Sequence, residues 1–236
     1  MYTLPVTKKR FIAYFDIMGF KDFIYRNSHR KVSKIMDEIA KVVSDIKDYE
    51  SEILKTPIEE RNQKGLKGKV VLPVIFSDSI IFISESDTRY DLHKILLVSS
   101  FFLGNSIGRS IPVKGAISHG LFTADFEKSK FFGQPLIDAF LLAEEAQFYG
   151  VIVHNTVEAR FNKRGTPMHG DLIKRGLVPM KSGKVTHYFS LWEGVLGEKY
   201  GSKDAMKKLI EKFYSTSSGN VRRYVDNSIE IYAGDS

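Results

Sequence analysis

Five consecutive apolar residues, Phe11-Ile12-Ala13-Tyr14-Phe15, run straight into Asp16 and then a turn at Gly19. A strand with one face in water alternates apolar and polar residues, so this unbroken run, from about Arg10 to Phe15, predicts a strand covered on both faces at the centre of a sheet. Asp16 is a costly residue to place at its end. An ionised carboxylate beside Phe, Ile and Tyr loses hydration that only a cation or several hydrogen-bond donors can replace. The pattern recurs in Val74-Ile75-Phe76-Ser77-Asp78-Ser79-Ile80-Ile81-Phe82, where Val70 to Phe76 and Ile80 to Ile83 read as a hairpin with Asp78 at its tip. Either Asp alone reads as a turn residue. Two carboxylates delivered by buried strands point to a shared divalent-metal site.

Composition narrows the chemistry around that pair. The 236 residues, 43% hydrophobic and 12% aromatic, suit one elaborated domain with a genuine core. With no cysteine there is no disulfide, no thiolate nucleophile and no sulfur-ligated zinc, and the six histidines are scattered singly without paired spacing. No apolar stretch approaches the length of a membrane span, and the start, Met1 to Arg10, runs from apolar to basic, the reverse of a secretory signal. A cytoplasmic protein is the expectation. The net charge of +7 is spread over exposed positions with no aromatic-basic module, so it fits a solvated surface or a polyanionic small molecule better than nucleic acid.

Further along, Ser28 precedes a helical stripe of Val32, Ile35, Ile39, Val42 or Val43, and Ile46. Tyr49 to Gly68 is charged and loop-like, either a surface excursion or a short helix with linkers, and Pro73 suggests an edge contact or bulge in the first hairpin strand. A helix from about Tyr90 to Ile107, a strand from Ile111 to Ser118 ended by Gly120, a helix from about Leu136 to Phe148 and a short strand Val151 to His154 follow. Arg175 to Leu191 reads as two strands joined by a Ser-Gly turn, Ser202 to Tyr214 as an amphipathic helix, and Val221 to Tyr232 as a tail docked as a helix or a strand. The order through the first four strands is β-α-β-β-α-β.

Five fragments in sequence order resemble the catalytic domain of class III nucleotidyl cyclases: Phe15-Asp16-Ile17-x-Gly19-Phe20, the hairpin carrying Asp78, Lys114-Gly115 through Gly120, Phe132-Gly133 through Ala139, and Arg175-Gly176 with Lys181. They cover roughly Arg10 to Leu191. The resemblance implies an α+β domain with a ferredoxin-like βαββαβ core, extra strands and a C-terminal helix. It places the catalytic domain at 1–195 and a C-terminal helical extension, packed on the same domain, at 196–236. It also implies two divalent cations, Mn2+ or Mg2+, held by Asp16, Asp78 and the carbonyl of Ile17. One ion would activate the ribose 3′-hydroxyl of a nucleoside triphosphate, and the other would neutralise the departing pyrophosphate. Backbone amides from Ile17 through Gly19 to Phe20 would receive phosphate oxygens, Lys181 would contact the triphosphate, and the protein would work as a homodimer.

Departures from the family pattern are as informative. The positions that read a purine base are Val74 and Lys130, and those of the usual ribose-orienting Asn and transition-state Arg are Ile137 and Leu141. Tyr14-Phe15-Asp16, Phe76-Ser77-Asp78-Ser79, Gly115-Ala116-Ile117-Ser118 and the Phe132-Gly133 run are similar to the pyrimidine cyclases of bacterial Pycsar anti-phage systems, which make cyclic UMP or cyclic CMP. Tyr14, two residues before Asp16, faces the same way on a strand and would narrow a base pocket. A core tyrosine with a satisfied hydroxyl is the equal alternative. Lys67-Gly68-Lys69 reads as a basic turn over a cation placed near the nucleobase, Arg109 and Lys114 as solvent-facing over reaching phosphate, Asp138, Glu144 and Glu145 as the polar face of their helix over a third metal ligand, and His119 as non-catalytic. An inactive cyclase-like nucleotide-binding regulatory module, a purine nucleotide cyclase and a basic RNA-binding protein are the rival readings.

Overall fold

The computed structural model describes residues 6–55, 71–162, 172–192 and 202–234. The chain begins with β1 (Thr7–Ile17), α1 (Phe20–Arg26), α2 (His29–Lys55), the hairpin β2 (Leu72–Phe76) and β3 (Ser79–Ile83), α3 (Arg89–Gly108) and β4 (Val113–Asp125). Then come β5 (Lys130–Phe132), α4 (Gln134–Glu145), β6 (Val151–Val153), α5 (Asn155–Asn162), the hairpin β7 (Ile173–Met180) and β8 (Gly183–Ser190), α6 (Lys203–Glu211) and α7 (Arg222–Ala233). One eight-stranded sheet carries them in the order β2-β3-β1-β4-β6-β8-β7, with β5 paired to β4.

β1 lies between β3 and β4 and is antiparallel to both, so the expected central strand is central. β2-β3-β1-β4, with α1 and α2 on one crossover and α3 on the other, is the ferredoxin-like βαββαβ core. β6, parallel to β4, and the β7–β8 hairpin extend the sheet. β1 is covered on both faces because its side chains alternate between two packed layers. Phe11, Ala13, Phe15 and Ile17 point into the main core with Ile39, Val42 and Val43 of α2 and with Ile95, Leu96 and Phe102 of α3. Tyr14 faces the other way, against Ala116, Ala139 and Ala143. Asp16 continues that second row.

Local chemistry explains where the elements start. The Thr88 side chain accepts from the Asp91 amide at 3.2 Å while the Asp91 carboxylate accepts from the Thr88 amide at 3.1 Å, a reciprocal cap that opens α3. Pro73 sits on β2, the edge strand, where a missing N–H costs nothing to the ladder.

Two expectations change, and for the docked tail the structure selects one of two expected forms. β4 runs through Gly120 to Asp125, because Gly120 is a point of close approach: a Cβ there would lie 3.2 Å from Pro135 Cδ at the start of α4. The turn after Asp16 leads into the short helix α1, and α5 follows β6; neither has a strong apolar period. The tail is helical, and Val225 and Tyr232 of α7 join Met206 and Ile210 of α6 in the main core. Lys67, Lys69, most of the charged stretch up to Gly68 and the expected boundary at 195/196 lie outside the described residues. Among the described residues no helix is long and apolar enough to cross a membrane.

Candidate active site

Asp16 and Asp78 meet at one end of the sheet. Asp16 pairs across β1 with Ser79, the residue after Asp78, and the Ile17 amide donates to the Asp78 carbonyl at 3.0 Å. The two-residue turn of the β2–β3 hairpin is Ser77-Asp78, with Ser77 at φ 55°, the sign that such turns need at their first position. Sequence-distant carboxylates are thus brought together by the β1–β3 ladder. Burial, and next the Asp78 carboxylate, push the Asp16 carboxyl up to about 6 from its ordinary 3.8; Lys114 opposes the rise and Glu144 adds to it. Burial and the neighbouring carboxylate both disfavour a bare negative charge on Asp16 in this corner.

Lys114 lies directly across β4 from Asp16. It is not solvent-facing, as the sequence suggested, but 3% exposed. Its ammonium sits 3.4 Å from the Glu144 carbonyl and 3.5 Å from Glu144 Oε1, and 6.0 Å from the centre of the Tyr224 ring. Glu144 therefore leaves the plain polar face assigned to it and joins the site. Burial is the main cause raising both Tyr14 and Tyr224, and Asp16 and Glu144 add to each, so one cluster of charge touches β1, β4, α4 and α7. No local motif marks Glu144 or Tyr224; the only available signal was the apolar strand around Lys114, which made a solvated lysine there doubtful.

The other expected residues fall as follows. Gly19, at φ 73°, is the left-handed turn between β1 and α1, a conformation that glycine adopts without strain. The amides of Ile17 and Met18 donate to the carbonyls of Asp78 and Pro112 rather than facing a phosphate, and the Phe20 ring belongs to the main core. Tyr14 is 6% exposed, its hydroxyl bonded to Ser79 Oγ at 3.0 Å and its ring edge-on to Phe140. It matches the description of a core tyrosine with a satisfied hydroxyl. Lys181, in the β7–β8 turn, lies 3.8 Å from Glu144 and 3.9 Å from Glu145. Arg109 instead ties α3 to α2 through Asp45 at 3.0 Å, and Asp138 bonds Gln134. His119 is paired with Asp87 five β1–β4 pairs away from Asp16, about 17 Å along the strand.

The donor set suits a hard divalent cation: two carboxylates and nearby backbone carbonyls, all oxygen. Among the described residues no three or more His, Cys, Asp or Glu side chains form a metal cluster, so ligands beyond Asp16 and Asp78 would be backbone, water or phosphate oxygens.

The chain matches no protein-family model and no curated protein. Among solved structures it is similar to the catalytic core of a rhodopsin-guanylyl cyclase with converted specificity, in complex with ATPalphaS, at 12% identity and a TM-score of 0.50 over 78% of this chain and 95% of that one. The fold is that of the class III nucleotide cyclases. The adenylyl cyclase CyaB from P. aeruginosa is similar at 14% identity and a TM-score of 0.46, over 78% of this chain and 94% of that one.

Proposed function

We propose that this protein is a nucleotidyl cyclase that converts UTP or CTP into the 3′,5′-cyclic nucleotide and pyrophosphate, as a second-messenger synthase in anti-phage defence. The observation that carries the reading is the meeting of Asp16 and Asp78 at the end of β1, with Asp16 raised by burial and by its partner. The ribose 3′-oxygen attacks the α-phosphorus, its proton leaves to solvent, and the bond to the pyrophosphate oxygen breaks. Two Mn2+ or Mg2+ ions, when bound, supply charge neutralisation and acidify the hydroxyl. The chain's own share is to hold both carboxylates and the Ile17 carbonyl in register, to offer the Gly19 and Phe20 amides to phosphate, and to bring Lys181 to the triphosphate. In this account 1–195 is the catalytic body and 196–236 its helical extension.

What lines the face beside Asp16 supports a pyrimidine substrate. Val74 packs among Ile12, Ile81 and Phe122, and so offers a base no hydrogen bond. Tyr14 with Phe140 fills the space two residues from Asp16. Ile137, Phe140 and Leu141 leave an apolar stripe of α4 in solvent, which suits the head-to-tail homodimer of cyclases. The replacement of the usual Asn and Arg by Ile137 and Leu141 favours one other reading, an inactive nucleotide-binding module.

Incubation of the purified protein with Mn2+ and each of ATP, GTP, UTP and CTP separates these readings. The proposal expects pyrophosphate and a cyclic product from a pyrimidine triphosphate. Asp16→Ala or Asp78→Ala should lower the rate by on the order of 10²–10³-fold, the scale of losing several kcal/mol of charge stabilisation. A cyclic purine product overturns the specificity alone. Nucleotide binding without product under any condition assigns the inactive module.

A further inference from the structure

Glu144 joins two lysines of different character. Lys114 reaches its carboxylate from inside, with a side chain 4% exposed, and its ammonium is further fixed by the Glu144 carbonyl and by Tyr224. Tyr224 is itself anchored: its hydroxyl accepts from Gln147 at 3.0 Å, and Asn227 on the same helix donates to the Gln147 carbonyl at 2.7 Å. Lys181 reaches Glu144 from outside, with a side chain 49% exposed and its ion pairs to Glu144 and Glu145 near 4 Å, the outer limit for such a contact. One lysine is buried and the other is half exposed.

We propose that the Glu144 carboxylate is a placeholder for phosphate, holding Lys181 at the site until a triphosphate takes that lysine over. The inference rests on the cyclase reading and adds a residue to it. The Glu144 carboxylate turns Oε1 to Lys114 and Oε2 to Lys181, so it offers two ammonium groups the charge and acceptors that the oxygens of a phosphate offer. When a polyphosphate enters, Lys181 swings to it while Glu144 stays on Lys114, so the buried lysine never faces the site unpaired. Glu144 is thus a positioning residue. It keeps Lys181 ordered in the empty site and competes with substrate for it.

The test is calorimetric binding of inorganic tripolyphosphate with Mg2+ to the full chain. Glu144→Gln should tighten binding about two- to fivefold, the effect of removing one exposed competing ion pair. Lys181→Ala should weaken binding, and Glu144→Gln added to Lys181→Ala should bring no further gain. Equal tightening with and without Lys181 would mean simple relief of repulsion and overturns the proposal, as does unchanged or weaker binding in Glu144→Gln. A rise in the Mg2+ concentration needed for binding would make Glu144 a metal ligand and overturn it as well. Should Glu144→Gln fail to fold because Lys114 loses its partner, Glu144→Gln combined with Lys114→Met restores a neutral pair, and the same Lys181-dependent tightening is expected. A wild-type protein that cyclises a triphosphate but fails these comparisons loses the placeholder and keeps the cyclase reading. One that neither binds tripolyphosphate nor cyclises loses both.

Discussion

At Asp16 the fold works against one of its own residues. Between pH 3.8 and about 6 the folded chain keeps a proton on this carboxyl that the unfolded chain has released, so Asp16 makes stability fall as pH rises through that window. Above the window the carboxylate is a standing cost. Chelator-treated protein should therefore show, in melting curves, a component that declines from pH 4 to 6 and is absent from Asp16→Asn, which should melt higher than wild type at pH 7. A lower melting temperature for Asp16→Asn at neutral pH would contradict the raised value. The expense of Asp16 was legible because apolar letters surround it. What compensates it was not: Lys114 is brought opposite Asp16 only by the β1–β4 register, and Glu144 and Tyr224 arrive from helices far along the chain.

Among the elements, α4 sets the thickness of the layer over the site. It packs on β1 and β4 through the buried small residues Ala139 and Ala143, beside Tyr14 and Ala116. Enlarging this contact forces the helix outward and shifts Glu144 from Lys114. Ala139→Leu should cost about 1–3 kcal/mol in denaturant unfolding, with a loss of turnover larger than the stability change explains. Full activity in a variant so destabilised would show that the position of α4 does not matter to the site. β1, the hairpin and α3 were readable because each carries a long apolar run or a regular period. α1 and α5 were not, being short helices whose burial is decided by neighbours. β4 was read as too short because a glycine that makes room for Pro135 looks, in sequence, like one that ends a strand.

The molecule as a whole leaves an apolar stripe uncovered, with Ile137 and Leu141 each more than half exposed on α4. If a second copy covers it, as proposed, Ile137→Asp combined with Leu141→Asp should convert a dimer into a monomer by sedimentation and abolish turnover without lowering the melting temperature. An active monomer would instead show a site complete in one chain. The central claim is narrower than the dimer: Asp16 and Asp78 together hold divalent cations beneath a bound polyphosphate. Anomalous diffraction from crystals grown with Mn2+ and a non-cyclisable pyrimidine triphosphate tests it most directly. The account predicts manganese peaks at coordination distance from both carboxylates, lost in Asp16→Ala; peaks elsewhere, or none at this corner while the nucleotide is bound, would contradict it.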